Sequence, residues 1–302
     1  MYRKILVPLD GSRTAEKVLP YARYFANKLK VPIELLAVID IAELTAHITA
    51  TKARFLEGLI EEGMHNSEDY LRRVAANFGD APVMCTVEKG RAHETIIEKG
   101  QTDPGMLITM ATHGRSGLNR FLLGSVTEKV LRGAANPLLL VRAREEAIWD
   151  GDVGFKTILV PLDGSELAET ILPMATGLAK KIELELVLFR AYHIPYNTYA
   201  GEDGYYAVNY EELNSAVRDD TKGYLEKKVA QLKELGVEKV SYLSKQGFAG
   251  DEIISFGRKL PNGLIAMSSH GLSGVKRWVL GSVTENVVRH GDNPVLIFRG
   301  SF

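Results

Sequence analysis

Short apolar runs alternate with longer amphipathic stretches along the chain. Residues 4–9 (KILVPL) are mostly apolar and are closed by Asp10-Gly11-Ser12; Ala15, Val18, Leu19, Ala22, Phe25, Ala26 and Leu29 then recur at helical spacing across residues 13–29. Strand, turn and one helix are expected. A second apolar run, 33–39, is too short for a typical helix and reads as a buried strand, and residues 52–78 form a long, charged amphipathic segment. A third strand is expected at 83–87, a helix from about 92 to 99, and a fourth strand at 106–110 between Asp103-Pro104-Gly105 and His113-Gly114. Residues 125–132 read as helix and 138–142 as a last strand. The same order follows in the second half, with strands near 157–162, 185–189, 237–243, 264–267 and 295–298. Strands alternating with helices predict an α/β fold with a parallel sheet and helices on both faces.

The pattern repeats because the sequence does. Val7-Pro8-Leu9-Asp10-Gly11-Ser12 recurs unchanged as Val160-Pro161-Leu162-Asp163-Gly164-Ser165, an offset of 153 that still holds at Pro20 and Pro173. Leu123-Gly124-Ser125-Val126-Thr127-Glu128 recurs as Leu280-Gly281-Ser282-Val283-Thr284-Glu285 at an offset of 157, so the second copy carries four extra residues in its middle. Between 110–142 and 267–299, 18 of 33 positions are identical, which identifies a duplication. The join falls in the charged, glycine-containing stretch REEAIWDGDVG, giving domains at 1–146 and 154–302. The extra length lies near 192–210, a loop carrying Tyr192, Tyr196, Tyr199, Tyr205, Tyr206 and Tyr210, which reads either as a lid or partner surface or as rings packed on their own domain.

Composition narrows the function classes. With 302 residues, 45% hydrophobic and 25% charged, the chain has room for two cored domains. Its 37 basic and 38 acidic side chains give a formal net charge of -1, which supplies no general field for nucleic acid or for a membrane surface. The one cysteine, Cys85, excludes an intrachain disulfide and a four-thiolate metal site. No apolar run reaches a membrane span, and Pro8 and Asp10 come too early for a signal peptide, so a cytoplasmic protein is expected.

Open parallel sheets bind ligands beyond the carboxyl ends of their strands, where strand order reverses. Asp10-Gly11-Ser12 follows the first strand and Thr112-His113-Gly114-Arg115-Ser116-Gly117 the fourth, so the two clusters share a crevice if those strands are neighbours. Gly124-Ser125 then opens a helix whose free N–H groups and dipole suit an anion, pointing to a phosphorylated ligand. A blander account also fits. Ser125-x-x-Glu128 and Ser282-x-x-Glu285 match a capping box, and Asp10 and Asp163 suit turns. The P-loop pattern and the dinucleotide fingerprint after strand one are both missing from the sequence, so neither efficient hydrolysis nor nicotinamide chemistry is expected. His113 and His270 lack the company of a metal motif, and no catalytic or metal-binding residue is assigned.

Both halves resemble the universal stress protein family in the start (I/L)LVPLDGS, the loop (T/S)HGxSG, the segment LGSVTE and the closing strand after Asn-Pro. The resemblance implies two tandem Rossmann-like domains, each with a five-stranded parallel sheet. It also implies ATP, with magnesium, or AMP or another adenylate, bound through a pattern G-x2-G-x9-G-(S/T). Here the pattern reads Ala111-x2-Gly114-x9-Gly124-Ser125 and Ser268-x2-Gly271-x9-Gly281-Ser282, with the first glycine replaced by a small residue in each half. By position, Asp10 and Asp163 would hold the adenosine end and the backbone near Val38 and Phe189 would contact adenine. Gly114 and Gly271 would line ribose and phosphates, and Gly124-Ser125 and Gly281-Ser282 would grip the phosphates. Pro8, Met110, Ala111 and Val126 complete the first set, with Pro161, Met267, Ser268 and Val283 in the second. Arg115, Arg120, Lys276 and Arg277 read as phosphate-neutralising or as solvated loop charges. The function implied is an ATP-binding stress-response regulator with protein partners; the alternatives are a nucleotide-free scaffold and a slow ATP hydrolase. The apolar closing strands, 138–141 and 295–298, would pair within the chain as a pseudo-twofold domain pair, and the whole chain would form a homodimer.

Overall fold

The computed structural model describes residues 2–41, 56–79, 81–112, 123–142, 153–194, 210–269 and 280–299. The chain divides into two compact units: one holds the first repeat together with the last strand of the chain, and the other holds the rest of the second repeat from Phe155. Among the described residues, no helix is long and apolar enough to cross a membrane.

In the first unit β1 (Lys4–Pro8), β2 (Ile33–Ile39), β3 (Val83–Lys89), β4 (Met106–Ala111) and β5 (Leu138–Val141) are parallel, in the order β3-β2-β1-β4-β5. Every residue of β4 and β5 is buried, as strands covered on both faces must be. The described helices are α1 (Arg13–Glu16), α2 (Leu19–Leu29), α3 (Leu56–Ala75), α4 (Ala92–Gln101) and α5 (Ser125–Gly133), with a 3-10 turn at Ala76–Phe78. The single helix expected over 13–29 is two helices. Pro20 occupies the first turn of α2, where its missing N–H costs nothing, so the chain restarts its helix there. The final strand, β10 (Val295–Phe298), pairs antiparallel with β5, setting Val295, Leu296 and Ile297 opposite Leu140, Leu139 and Leu138. The two closing strands thus cover each other's edges, as the sequence led us to expect.

The second unit repeats the plan with β6 (Thr157–Pro161), β7 (Glu185–Tyr192), β8 (Val240–Gln246) and β9 (Gly263–Ser268), parallel and in the order β9-β6-β7-β8. Its helices are α6 (Glu166–Glu169), α7 (Leu172–Ile182), α8 (Tyr210–Glu234), α9 (Ala249–Lys259) and α10 (Ser282–His290). Strand β8 begins three residues later than expected because Val237 is used elsewhere. Gly236, at φ 78°, donates to the Lys233 carbonyl and Val237 to that of Leu232, closing α8 with paired C-terminal cap bonds. Residues 195–209, which hold four of the loop tyrosines, lie outside the described residues.

Candidate functional site

Strand order reverses between β1 and β4, and between β6 and β9, so a crevice is expected at the carboxyl ends of those strands. Asp-Gly-Ser follows β1 and β6. Asp10 Oδ1 accepts from the Ser12 N–H at 2.9 Å, and Asp163 Oδ1 accepts from the Ser165 N–H at 2.9 Å and its hydroxyl at 2.6 Å. The turn bends through Gly11 and Gly164 at φ 79° and 92°, a left-handed conformation that favours glycine. Ser12 and Ser165 then accept from Ala15 and Ala168 N–H groups at 3.1 Å and cap α1 and α6. Each aspartate is therefore a turn residue, held at the strand end by the helix it precedes.

The starts of α5 and α10 correct two expectations. The caps are Gly124 and Gly281, with Ser125 and Ser282 already inside the helix, so no capping box forms. Glu128 accepts from Arg132 at 3.1 Å and Glu285 from Arg289 at 2.9 Å, one turn on. Nor do all the amides stand open. The Gly124 N–H donates to the Thr112 carbonyl at 2.8 Å and the Gly281 N–H to that of Ser269 at 2.9 Å, which ties each helix start to a strand end. Among the described residues, no carbonyl and no capping side chain accepts from the N–H groups of Ser125 and Val126, or of Ser282 and Val283. Gly124 and Gly281 sit at φ -59° and -60°, a conformation open to any residue. What glycine adds there is bare backbone. Thr127 and Thr284 hydroxyls donate to the carbonyls of Ala111 and Ser268 at 3.0 and 3.1 Å, fastening the helix start to the last residue of β4 or β9.

In the second unit these parts surround a cavity of about 280 Å³. Of the residues expected in this half, Pro161, Asp163 and Phe189 line it from β6, the turn and β7; Met267 and Ser268 line it from β9; Gly281, Ser282 and Val283 line it from the start of α10. Ser268 replaces a glycine of the family pattern yet forms wall without closing the space. Sequence reasoning missed Leu162, Ala168, Ala191, Ala249, Ile253 and Thr284. Ala191 was within reach. Pro8 stands opposite Leu36 and Pro161 opposite Phe189, so the counterpart of Phe189 is Leu36, and that of Val38 is Ala191. The pairing of Val38 with Phe189 is thereby corrected. Ile253 belongs to the buried face of α9 and the half-buried Ala249 lies one turn before it, legible as helical periodicity but not as a ligand wall.

In the first unit Pro8 ends β1, Val38 lies near the end of β2, Met110 and Ala111 end β4, and Gly124, Ser125 and Val126 open α5. Gly114 and Gly271, His113 and His270, and Arg115, Arg120, Lys276 and Arg277 lie outside the described residues. Among those described, no group of three or more His, Cys, Asp or Glu side chains is placed to hold a metal.

The chain matches the model of the Universal stress protein family twice, over residues 1–142 and 154–299. It belongs to the universal stress protein family. A universal stress protein of Mycolicibacterium smegmatis is 24% identical over 299 residues, covering 98% of this chain and 96% of the relative. One from Methanocaldococcus jannaschii is 29% identical over 158 residues, covering 48% of this chain and 97% of its own length. In three dimensions a universal stress protein of Archaeoglobus fulgidus aligns over 98% of both chains with a TM-score of 0.71 at 23% identity, which establishes the shared fold. Universal stress protein domains in tandem are thus the organisation of this chain, and two of the relatives match it along its whole length.

Proposed function

We propose that this universal stress protein binds an adenine nucleotide, ATP, in the cavity of the second repeat and at the equivalent strand ends of the first. The bound nucleotide would regulate its conformation or its protein partners in the stress response. The observation that carries this reading is the cavity itself, which joins a carboxylate, an apolar slot and an uncapped helix start at positions taken from the family pattern. An ionised Asp163 only accepts hydrogen bonds and so suits ribose hydroxyls. Phe189, Ala191 and Ile253 offer the apolar walls a base requires. The amides of Ser282 and Val283 face the phosphates, and the helix dipole adds about 0.3–1 kcal/mol for an anion there. Magnesium would ride on the phosphates rather than in a protein cage. The fit is to adenylates as a class, and a cytoplasmic location accords with it.

Denaturing the purified chain and chromatographing the supernatant should release adenine nucleotide, and the stripped protein should bind ATP saturably by calorimetry. Gly281→Val, which puts a branched side chain on the cavity wall, should weaken one class of site by about tenfold or more. No released nucleotide together with no saturable binding would overturn the reading in favour of a nucleotide-free scaffold.

A further inference from the structure

A second cavity, of about 480 Å³, adjoins the first and shares Asp163 and Ala191 with it. Side chains alternate along β7, so Phe189 faces α9 and Arg190 faces α8, while Ala191, near the strand end, borders both spaces. The shared Asp163 is the corner between the two spaces.

Arg190 decides the character of the second space. Its guanidinium carbon lies 4.8 Å from the centre of the Tyr224 ring, and its Nη2 lies 3.2 Å from where a Cβ on Gly164 would stand, directly beside the Asp-Gly-Ser turn. Tyr224 is itself fixed, since its hydroxyl donates to Glu169 at 2.8 Å and Glu169 accepts from Lys228 at 2.7 Å. The guanidinium thus rests against a ring that is itself fixed. Among the described residues no carboxylate forms an ion pair with it, although Asp163 and Asp220 line the same cavity. A positioned, half-buried arginine with its fork of donors unclaimed by any described carboxylate suits phosphate geometry. Its equivalent in the first repeat, by the offset of 153, is Ala37, so the feature belongs to the second repeat alone.

We propose that Arg190 makes the second repeat selective for an adenylate with an additional phosphate on the 2′ or 3′ position of its ribose. This rests on reading the first cavity as an adenine-nucleotide site. A ribose whose hydroxyl edge meets Asp163 directs that edge toward Arg190 in the neighbouring space. One hydroxyl then remains for the carboxylate, and the phosphate meets the guanidinium. The acids of this cavity, Asp163 and Asp220, repel an anion, so a phosphate is held there only when the nucleoside that carries it supplies the rest of the binding energy.

The full-length chain, stripped of nucleotide, is titrated by calorimetry with 5′-AMP, adenosine 3′,5′-bisphosphate and adenosine 2′,5′-bisphosphate. One bisphosphate should bind one site about tenfold tighter than AMP, the scale of one charge-assisted contact. In Arg190→Ala that ratio should fall to about one; in Arg190→Met, which keeps an apolar stem against Tyr224, it should fall likewise, guarding against a folding defect. AMP binding with no preference for either bisphosphate overturns this proposal and leaves the nucleotide reading standing. A preference that survives both substitutions also overturns it. Failure of all three ligands to bind overturns this proposal, and failure of ATP to bind as well overturns the nucleotide reading beneath it.

Discussion

The two repeats share strand order and turn chemistry, yet the same place in their interiors is built from opposite materials. In the first, Glu34 on β2 is fully buried; it accepts from Lys4 at 2.9 Å and from the Thr86 hydroxyl at 2.8 Å, and pairs with Lys99 of α4 at 2.9 Å. Lys99 also pairs with Glu88. Burial alone would raise the Glu34 carboxyl, but the hydrogen bonds from Lys4, Lys99 and Thr86 hold it below its ordinary value. In the second repeat the offsets put Val187 for Glu34, Leu243 for Thr86 and Phe256 for Lys99. There Phe256 stacks on Phe189 with ring centres 5.8 Å apart. The same position is thus filled by hydrogen-bonded charge in one repeat and by apolar packing in the other. The exchange also reaches the cavity, because Phe189 is one of its walls.

The largest effect should come from leaving the first network half made. Lys4→Met with Lys99→Met strands the Glu34 carboxylate in the core and should cost about 3–5 kcal/mol by denaturant titration. Installing the second repeat's residues instead, Lys4→Thr, Glu34→Val, Thr86→Leu and Lys99→Phe, should be near neutral. A large loss in that quadruple variant would show that the two solutions are not interchangeable.

Acid should separate the repeats next. Because the folded Glu34 carboxyl titrates below its unfolded value, the stability it contributes is complete above the unfolded value and is lost as pH falls through the folded one. Lys99 behaves in the opposite sense. Burial works against its charge, but bonds to Glu88 and Glu34 raise its pKa, so its contribution is complete below the unfolded lysine value and is lost only at strongly alkaline pH. Amide hydrogen exchange should therefore show β2 losing protection before β7 on acidification. Glu34→Gln should remove that difference; equal loss in the two strands would refute it.

The smallest change sharpens the comparison at β4. Thr109 is fully buried, and among the described residues its hydroxyl has no partner, whereas its counterpart in β9 is Ala266. Thr109→Val removes the unmet hydroxyl at constant shape and should raise stability by about 1 kcal/mol, measured as a shift in the denaturant midpoint.

Much of this was legible in the chain because the information was local. Apolar runs of strand length, helical spacing and a sequence that occurs twice led to the alternation of strands and helices and to the tandem family assignment. Asp-Gly-Ser and Gly-Ser could be placed at strand ends because turns are written in short stretches. The helix broken before Pro20 and the cap that consumes Val237 were misread, since both depend on how a neighbouring turn is hydrogen-bonded rather than on periodicity. The capping box failed for a related reason: the motif fits the letters Ser125 and Glu128, but the helix begins one residue earlier and Glu128 turns to Arg132.

The chain alone determined the repeat, the family, the strand-end turns and the kinds of residue that meet a ligand, since each is a matter of pattern or composition within a few tens of residues. Only the tertiary structure decided which amides at the helix start are already bonded. It alone placed Arg190 beside Asp163 with its guanidinium on Tyr224. Those facts are distances between segments far apart in the chain, fixed by packing and strand register, and periodicity carries no record of them.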